Sequence, residues 1–281
     1  MCTTCGCGDE SGHVLVPESR DGARDLGRAS APGPTSAPAR IRDHDRASAP
    51  RSALGPGWVR EVRTVRLERE LLAKNNRIAA RTRRQLADVG VAMWNLIGAP
   101  GAGKTSLLEA TARRLQAAGV PLAVLEGDQA TDLDAKRIAR AGGRVLQINT
   151  GAGCHLDAAM VAEGVSATAP ARGSVVFVEN VGNLVCPALY DLGELAKVVV
   201  MSVAEGDDKP LKYAHVFRAA DLFVLTKTDL LPHVPFDEAA CVANARKVNP
   251  RLRVLPVSVT SGDGLDEWCA YVERAASRAR P

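Results

Sequence analysis

The stretch VAMWNLIGAPGAGKTSLLEATARRLQAAG, residues 91–119, decides the fold. It begins with an apolar run, turns through glycines, and continues at helical spacing. The turn fits G-x-x-x-x-G-K-(S/T) from Gly98 to Thr105, in the strand–turn–helix setting that marks a phosphate-binding loop. Gly98, Gly101 and Gly103 allow the backbone to curl so that its N–H groups face phosphate oxygens at a helix N-terminus. Ala102 and Ser106 complete the loop and belong to the same candidate set. Lys104 is placed to reach the β and γ phosphates, and the Thr105 hydroxyl to ligate Mg²⁺.

Outward from this stretch the chain alternates apolar runs with helical segments. The runs are VAMWNLIG (91–98), PLAVLEGD (121–128), RVLQINT (144–150), SVVFVEN (174–180), KVVVMSV (197–203), DLFVLTK (221–227) and RVLPVSV (253–259). Continuous apolar strands separated by helices predict a sheet buried on both faces. The expectation is a doubly wound, mostly parallel α/β P-loop domain over about residues 90–281, with its ligand site at the carboxyl ends of the strands.

The sixth run carries TKTD, Thr226–Asp229, which resembles the guanine-specificity motif N-K-x-D of GTPases. The Asp229 carboxylate can accept two hydrogen bonds from guanine, whereas adenine offers no such paired donors. Lys227 is expected over the base, and Thr226 stands where Asn is usual. SVTSGDG (258–264) ends the last run, placing Ser258 and Thr260 in a second candidate base loop. Asp128 ends the second run and Glu179 the fourth, where carboxylates beside a P-loop hold Mg²⁺ or orient the attacking water. Lys104, Asp128 and Glu179 are therefore the candidate catalytic residues, with Thr105 and Asp128 as candidate Mg²⁺ ligands. Helix capping is the alternative for Asp128, and more so for Asp134.

NTGAGCHLD follows the third run, and ENVGNLVCP extends the fourth. In a parallel sheet both segments leave at the carboxyl edge, bringing Cys154, His155 and Cys186 beside the nucleotide. Two thiolates and an imidazole are a candidate metal site. Cys241 and Cys269 lie in helical segments and read as packing residues.

The N-terminal part differs. Residues 1–13 hold Cys2, Cys5 and Cys7, and of the 40 residues from Pro17 to Pro56, 23 are Ala, Pro, Ser or Gly. Such a segment buries too little apolar surface to offset its ordering entropy, so it is expected to be a flexible linker. A helical period follows over 61–89, read as an amphipathic helix or helix pair; a basic membrane-surface helix is the alternative. The expected organisation is a cysteine-bearing metal tail (1–13), a linker (14–57) and a G domain (58–281), the last divided into a helical segment (61–89) and a nucleotide-binding core (90–281). The charge of +4 comes without aromatics interleaved among the arginines, which argues against nucleic acid. No run of about 18 apolar residues and no signal-peptide pattern are present, so a cytoplasmic protein away from the membrane is expected.

MCTTCGCG, the 71–111 stretch around the P-loop, EGDQATDLDAKRI, NTGAGCHLD, ENVGNLVCPALYDLGE, SVAEGDDKPLKY and LTKTDLLP together resemble the hydrogenase nickel-incorporation GTPases, the HypB family. The resemblance covers residues 1–13 and roughly 65–275. It implies a slow GTPase that helps deliver nickel to the NiFe-hydrogenase large subunit precursor and forms a homodimer when GTP is bound. It implies a regulatory nickel or zinc site at Cys154, His155 and Cys186, a nickel site at Cys2, Cys5 and Cys7, and a small zinc-containing maturation protein as partner. The implied cofactors are GTP, Mg²⁺, Ni²⁺ and Zn²⁺. Many relatives carry a histidine-rich storage stretch after the tail, whereas the segment from Gly12 to Gly57 has only His13 and His44. A urease-type nickel chaperone, a nickel buffer and an ATP-dependent kinase are the rival readings. For the tail, three close thiolates plus a backbone or terminal nitrogen suit the planar geometry of Ni²⁺, with zinc and His13 as a fourth ligand the alternative.

Overall fold

All seven apolar runs are strands. A computed structural model describes residues 56–128, 133–151 and 153–279, with side chains from residue 69 to residue 277 within these ranges. The tail cysteines Cys2, Cys5 and Cys7, His13 and the expected linker up to residue 55 lie outside the described residues. The chain divides after Thr64; apart from the first residues of one helix, the features below belong to the part that follows.

The strands are β1 (Ala92–Ile97), β2 (Leu122–Asp128), β3 (Arg144–Asn149), β4 (Val175–Glu179), β5 (Ala196–Ser202), β6 (Leu222–Thr226) and β7 (Arg253–Val257). They form one sheet in the order β3-β2-β4-β1-β5-β6-β7, and every strand pair is parallel. The helices are α1 (Pro56–Asp88), α2 (Lys104–Ala117), α3 (Leu133–Arg140), α4 (Ala158–Thr168), α5 (Cys186–Leu189), α6 (Lys209–Lys212), α7 (Ala214–Ala219), α8 (Glu238–Val248) and α9 (Leu265–Ala279). The helix expected over 61–89 is a single one and starts earlier, at Pro56. Proline suits a first helical position because its fixed φ is helical and its missing N–H has no partner to lose there.

Strand alternation sorts the core into two faces. Trp94 and Leu96 of β1, Val124 of β2 and Phe177 of β4 face α2 and α9, packing on Leu107, Leu108, Trp268 and Val272. Trp94 stacks on Phe177 at 5.3 Å between ring centres, and the buried Trp268 Nε1–H donates to Thr111 Oγ1 at 2.8 Å. On the opposite face, Met93, Leu125, Val176 and Val178 pack with Leu86 of α1 and Val161 of α4. Beyond β1 on that face, Val199, Phe223 and Leu225 pack on Val216 and Phe217 of α7 and on Cys241 and Ala245 of α8. Cys241 and Cys269 are thus core residues, as expected; burial pushes their thiols up to about 12 and about 11 respectively.

The sheet order also fixes where a ligand can sit. From the central β1 the chain goes out to β2 and β3, returns through β4, and then runs the other way through β5 to β7. The carboxyl ends diverge beside β1, and this opens a crevice there. Among the described residues, no helix is long and apolar enough to cross a membrane.

Candidate functional site

The P-loop joins β1 to α2. Gly101 and Gly103 adopt positive φ, 76° and 95°, a region costly for residues with a Cβ. Gly98 has a different constraint: a Cβ there would fall on the Val200 carbonyl of β5. Gly103 sits at the N-cap of α2 with no side-chain capping bond, and the first-turn residues Lys104, Thr105 and Ser106 line the crevice. Lys104 Nζ donates to the carbonyls of Gly98 at 3.1 Å and Ala99 at 3.3 Å. Burial lowers the Lys104 pKa, against the opposing pull of Glu179.

The crevice, about 520 Å³, is lined by Gly101, Gly103, Lys104, Thr105, Ser106, Asp128, Glu179 and Lys227 from the expected set. Thr105 Oγ1 donates to Glu179 Oε1 at 2.8 Å. Burial holds the Glu179 carboxyl up at about 7, with Lys104 countering. Asp134 also lines the crevice and accepts from Arg137 at 3.0 Å. Arg137 in turn reaches Ser106 Oγ at 3.2 Å and Glu109 at 2.7 Å.

One residue in the crevice escaped the sequence reading. Glu126 lies opposite Glu179 on the neighbouring strand, is 3% exposed, and lines the cleft. Its carboxyl is pushed up to about 8 by burial first and by Glu179 next. Glu126 Oε2 and Glu179 Oε2 are both buried without a hydrogen-bond partner. Two such oxygens beside the Thr105 hydroxyl and Asp128 are a donor set that fits a hard cation such as Mg²⁺. The available signal was an acidic residue inside the otherwise apolar run LAVLEGD.

The base-motif residues divide into two groups. Thr226 is buried, and its hydroxyl donates to the P-loop carbonyl of Ala102 at 2.6 Å and to Met201 O at 3.3 Å. Lys227 adopts a left-handed conformation, φ 59°, at the crevice wall. Asp229 and Ser258 come together from separate loops, with Ser258 Oγ donating to Asp229 Oδ1 at 2.6 Å. Thr260 is exposed in the turn after β7.

Cys154, His155 and Cys186 converge. Their ligand atoms lie within 4.8 Å of one another, the only such group of three among the described residues. Cys186 is buried at the start of α5. The His155 ring stacks on Tyr190 at 4.0 Å between centres. Burial lowers the His155 pKa, against Asp157, which favours the neutral imidazole that ligates metals. Two sulfurs and a nitrogen in mutual reach fit a tetrahedral or planar thiophilic ion with one position left open.

An all-parallel sheet of this order, a P-loop at its centre and a base motif after β6 define a P-loop GTPase. The CobW/HypB/UreG nucleotide-binding domain family matches residues 92–256. The chain is 46% identical to the hydrogenase maturation factor HypB of Azotobacter vinelandii, over 98% of this chain and 92% of that one. It is 43% identical to that of Escherichia coli K12, over 97% and 98% respectively. Among solved structures, HypB from Archaeoglobus fulgidus superposes with a TM-score of 0.68 at 36% identity, covering 73% of this chain and 100% of that one. HypB from Helicobacter pylori in complex with nickel gives 0.67 at 31%, covering 74% and 97%. The chain belongs to the HypB family of hydrogenase maturation factors.

Proposed function

We propose that this chain is a GTP-hydrolysing nickel metallochaperone that assists nickel insertion during maturation of NiFe-hydrogenase. The observation that carries this is the convergence of Cys154, His155 and Cys186 next to a P-loop crevice, with Glu179 and Cys186 on one segment leaving β4. The names of its relatives, hydrogenase maturation factors, and the nickel complex of the Helicobacter pylori protein agree with it.

In this reading the P-loop amides, Lys104 and Ser106 hold the phosphates, and Asp229, Lys227 and Ser258 hold the guanine. Thr226 acts from behind, keeping the Ala102 carbonyl in place. Thr105 and Asp128 would hold Mg²⁺, which would supply charge neutralisation at the phosphates. Once Thr105 turns its hydroxyl to another partner, the Glu179 carboxylate is released to orient the attacking water. Lys104, buried beside the loop, stabilises charge growing on the phosphate oxygens.

Nickel is cargo rather than cofactor. Cys2, Cys5 and Cys7 form the carrier site on a tether, and residues 14–57 supply its reach. Cys154, His155 and Cys186 form the controlled site, open to nickel or zinc. The protein works in the cytoplasm as a GTP-bound homodimer, exchanging nickel with a zinc-containing maturation partner and delivering it to the large subunit precursor.

The test is hydrogenase activity in cells whose own copy is replaced by Lys104→Ala or by Cys186→Ala. Loss of activity in both, restored by added nickel, is the expected result. Full maturation by Lys104→Ala would show that nucleotide turnover is dispensable and that the chain is a nickel buffer.

A further inference from the structure

The segment carrying Cys154 and His155 is tied at two points by buried side-chain amides. The Leu156 N–H donates to Asn180 Oδ1 at 3.1 Å. Two residues on, the Ala158 N–H donates to Asn75 Oδ1 at 2.8 Å. Asn180 and Asn75 are 1% and 6% exposed, so neither bond has water to replace it.

Asn180 is itself held firmly. Its Nδ2 donates to Asn95 Oδ1 on the central strand at 3.2 Å, and its backbone N–H donates to Leu96 O at 3.1 Å. Its Oδ1 also accepts from Val181 N at 3.1 Å. It directly follows Glu179, whose Oε1 takes the Thr105 hydroxyl. Neighbouring residues at a strand end project to opposite faces. Glu179 therefore addresses α2 and the P-loop, while Asn180 addresses the segment before α4. Asn75 belongs to a different connection, because its Nδ2 donates to Asp191 O at 2.8 Å, just beyond the short helix that Cys186 begins.

We propose that Asn180 is the positioning residue that passes the state of the nucleotide crevice to Cys154 and His155, whereas Asn75 anchors the same segment without reporting on nucleotide. The proposal rests on the reading of Cys154, His155 and Cys186 as a metal site. Any ligand that takes up the Thr105 hydroxyl frees Glu179 Oε1, and Oε2 has no partner to keep the carboxylate in place. The end of β4 is then free to shift, and the Leu156 amide moves with Asn180. Metal sites tolerate ligand displacements of only about 0.2 Å, so a small shift changes affinity. The chain from Val181 to Val185 offers a route from the crevice to Cys186 alone; Asn180 reaches the other two ligands.

The experiment uses the full-length chain with Cys2→Ser, Cys5→Ser and Cys7→Ser, so that only the internal site titrates. Ni²⁺ affinity is measured by competition with a chromophoric chelator, at saturating GDP and at a saturating non-hydrolysable GTP analogue. The parent should bind Ni²⁺ about fivefold or more differently in the two states, the lower range of allosteric couplings. Asn180→Ala should bring that ratio to unity, and Asn75→Ala should weaken Ni²⁺ binding in both states with the ratio kept. A parental ratio retained by Asn180→Ala overturns the proposal. So does a parent that binds Ni²⁺ equally in both states. A parent that binds no Ni²⁺ refutes instead the metal-site reading underneath. If Asn180→Ala does not fold, hydrogen exchange at the Leu156 amide of the unaltered chain decides: nucleotide-dependent protection supports the link, and equal protection overturns it.

Discussion

Thr226→Val removes one hydroxyl and leaves the shape of the side chain unchanged. That hydroxyl is 2.6 Å from the Ala102 carbonyl and 3.3 Å from the Met201 carbonyl, in a side chain 2% exposed. Valine cannot donate, so both buried carbonyls lose this donor. The cost of such a loss is about 1–3 kcal/mol. For a folded unit of this size each kcal/mol moves Tm by about 2–4 °C, giving a fall of about 2–12 °C. The assay is thermal unfolding of the nucleotide-free chain, with GDP affinity measured alongside. Both should drop, because Ala102 lies between the two positive-φ glycines that shape the phosphate loop. Thr226→Ser keeps the donor and should recover most of the loss. Preference for guanine over adenine should not change, since the hydroxyl points at the P-loop. An unchanged Tm, or a loss of guanine preference, would refute the assignment of Thr226 to the loop rather than the base.

Asp229→Asn reverses the hydrogen-bonding character of the group that Ser258 holds at 2.6 Å, so nucleotide preference should move toward xanthine; retained GTP selectivity in a competition assay contradicts the role of Asp229. The second test concerns pH. Glu126 and Glu179 sit at about 8 and about 7 rather than 4.5, so the folded chain holds protons that the unfolded chain releases. Stability of the ligand-free protein is therefore fully present near the ordinary carboxyl pKa and declines as pH rises through about 8. Glu126→Gln, neutral throughout, should leave a shallower decline of Tm between about pH 5 and pH 8; an identical slope shows that Glu126 is not protonated in the fold.

The strands were legible because parallel strands covered on both faces need apolar residues on both, and a run such as SVVFVEN shows that without any partner being known. The phosphate loop was legible because its glycines and Lys104 are contiguous in the chain. Convergence of Cys154, His155 and Cys186 followed from a rule about strand ends rather than from the residues themselves. Glu126 was missed because its significance depends on lying opposite Glu179, and that adjacency arises only when β4 inserts between β2 and β1. Thr226 stood out in the sequence only as the first position of the base motif; that its hydroxyl faces Ala102, 124 residues earlier in the chain, needed the fold. The amides of Asn75 and Asn180 gave no signal at all, since an asparagine bonded 83 or 24 residues away looks like any other polar residue.

The two core cysteines give the chain a built-in measure of its own integrity. Buried, and with thiols held up at about 12 and about 11, Cys241 and Cys269 carry almost no thiolate at neutral pH and will resist alkylation while the fold stands. Their labelling rate then follows global opening, which bound nucleotide or metal slows only through the stability each adds. Mass spectrometry of an alkylated variant thus separates a protein that has lost a ligand from one that has lost its core, in the same spectrum.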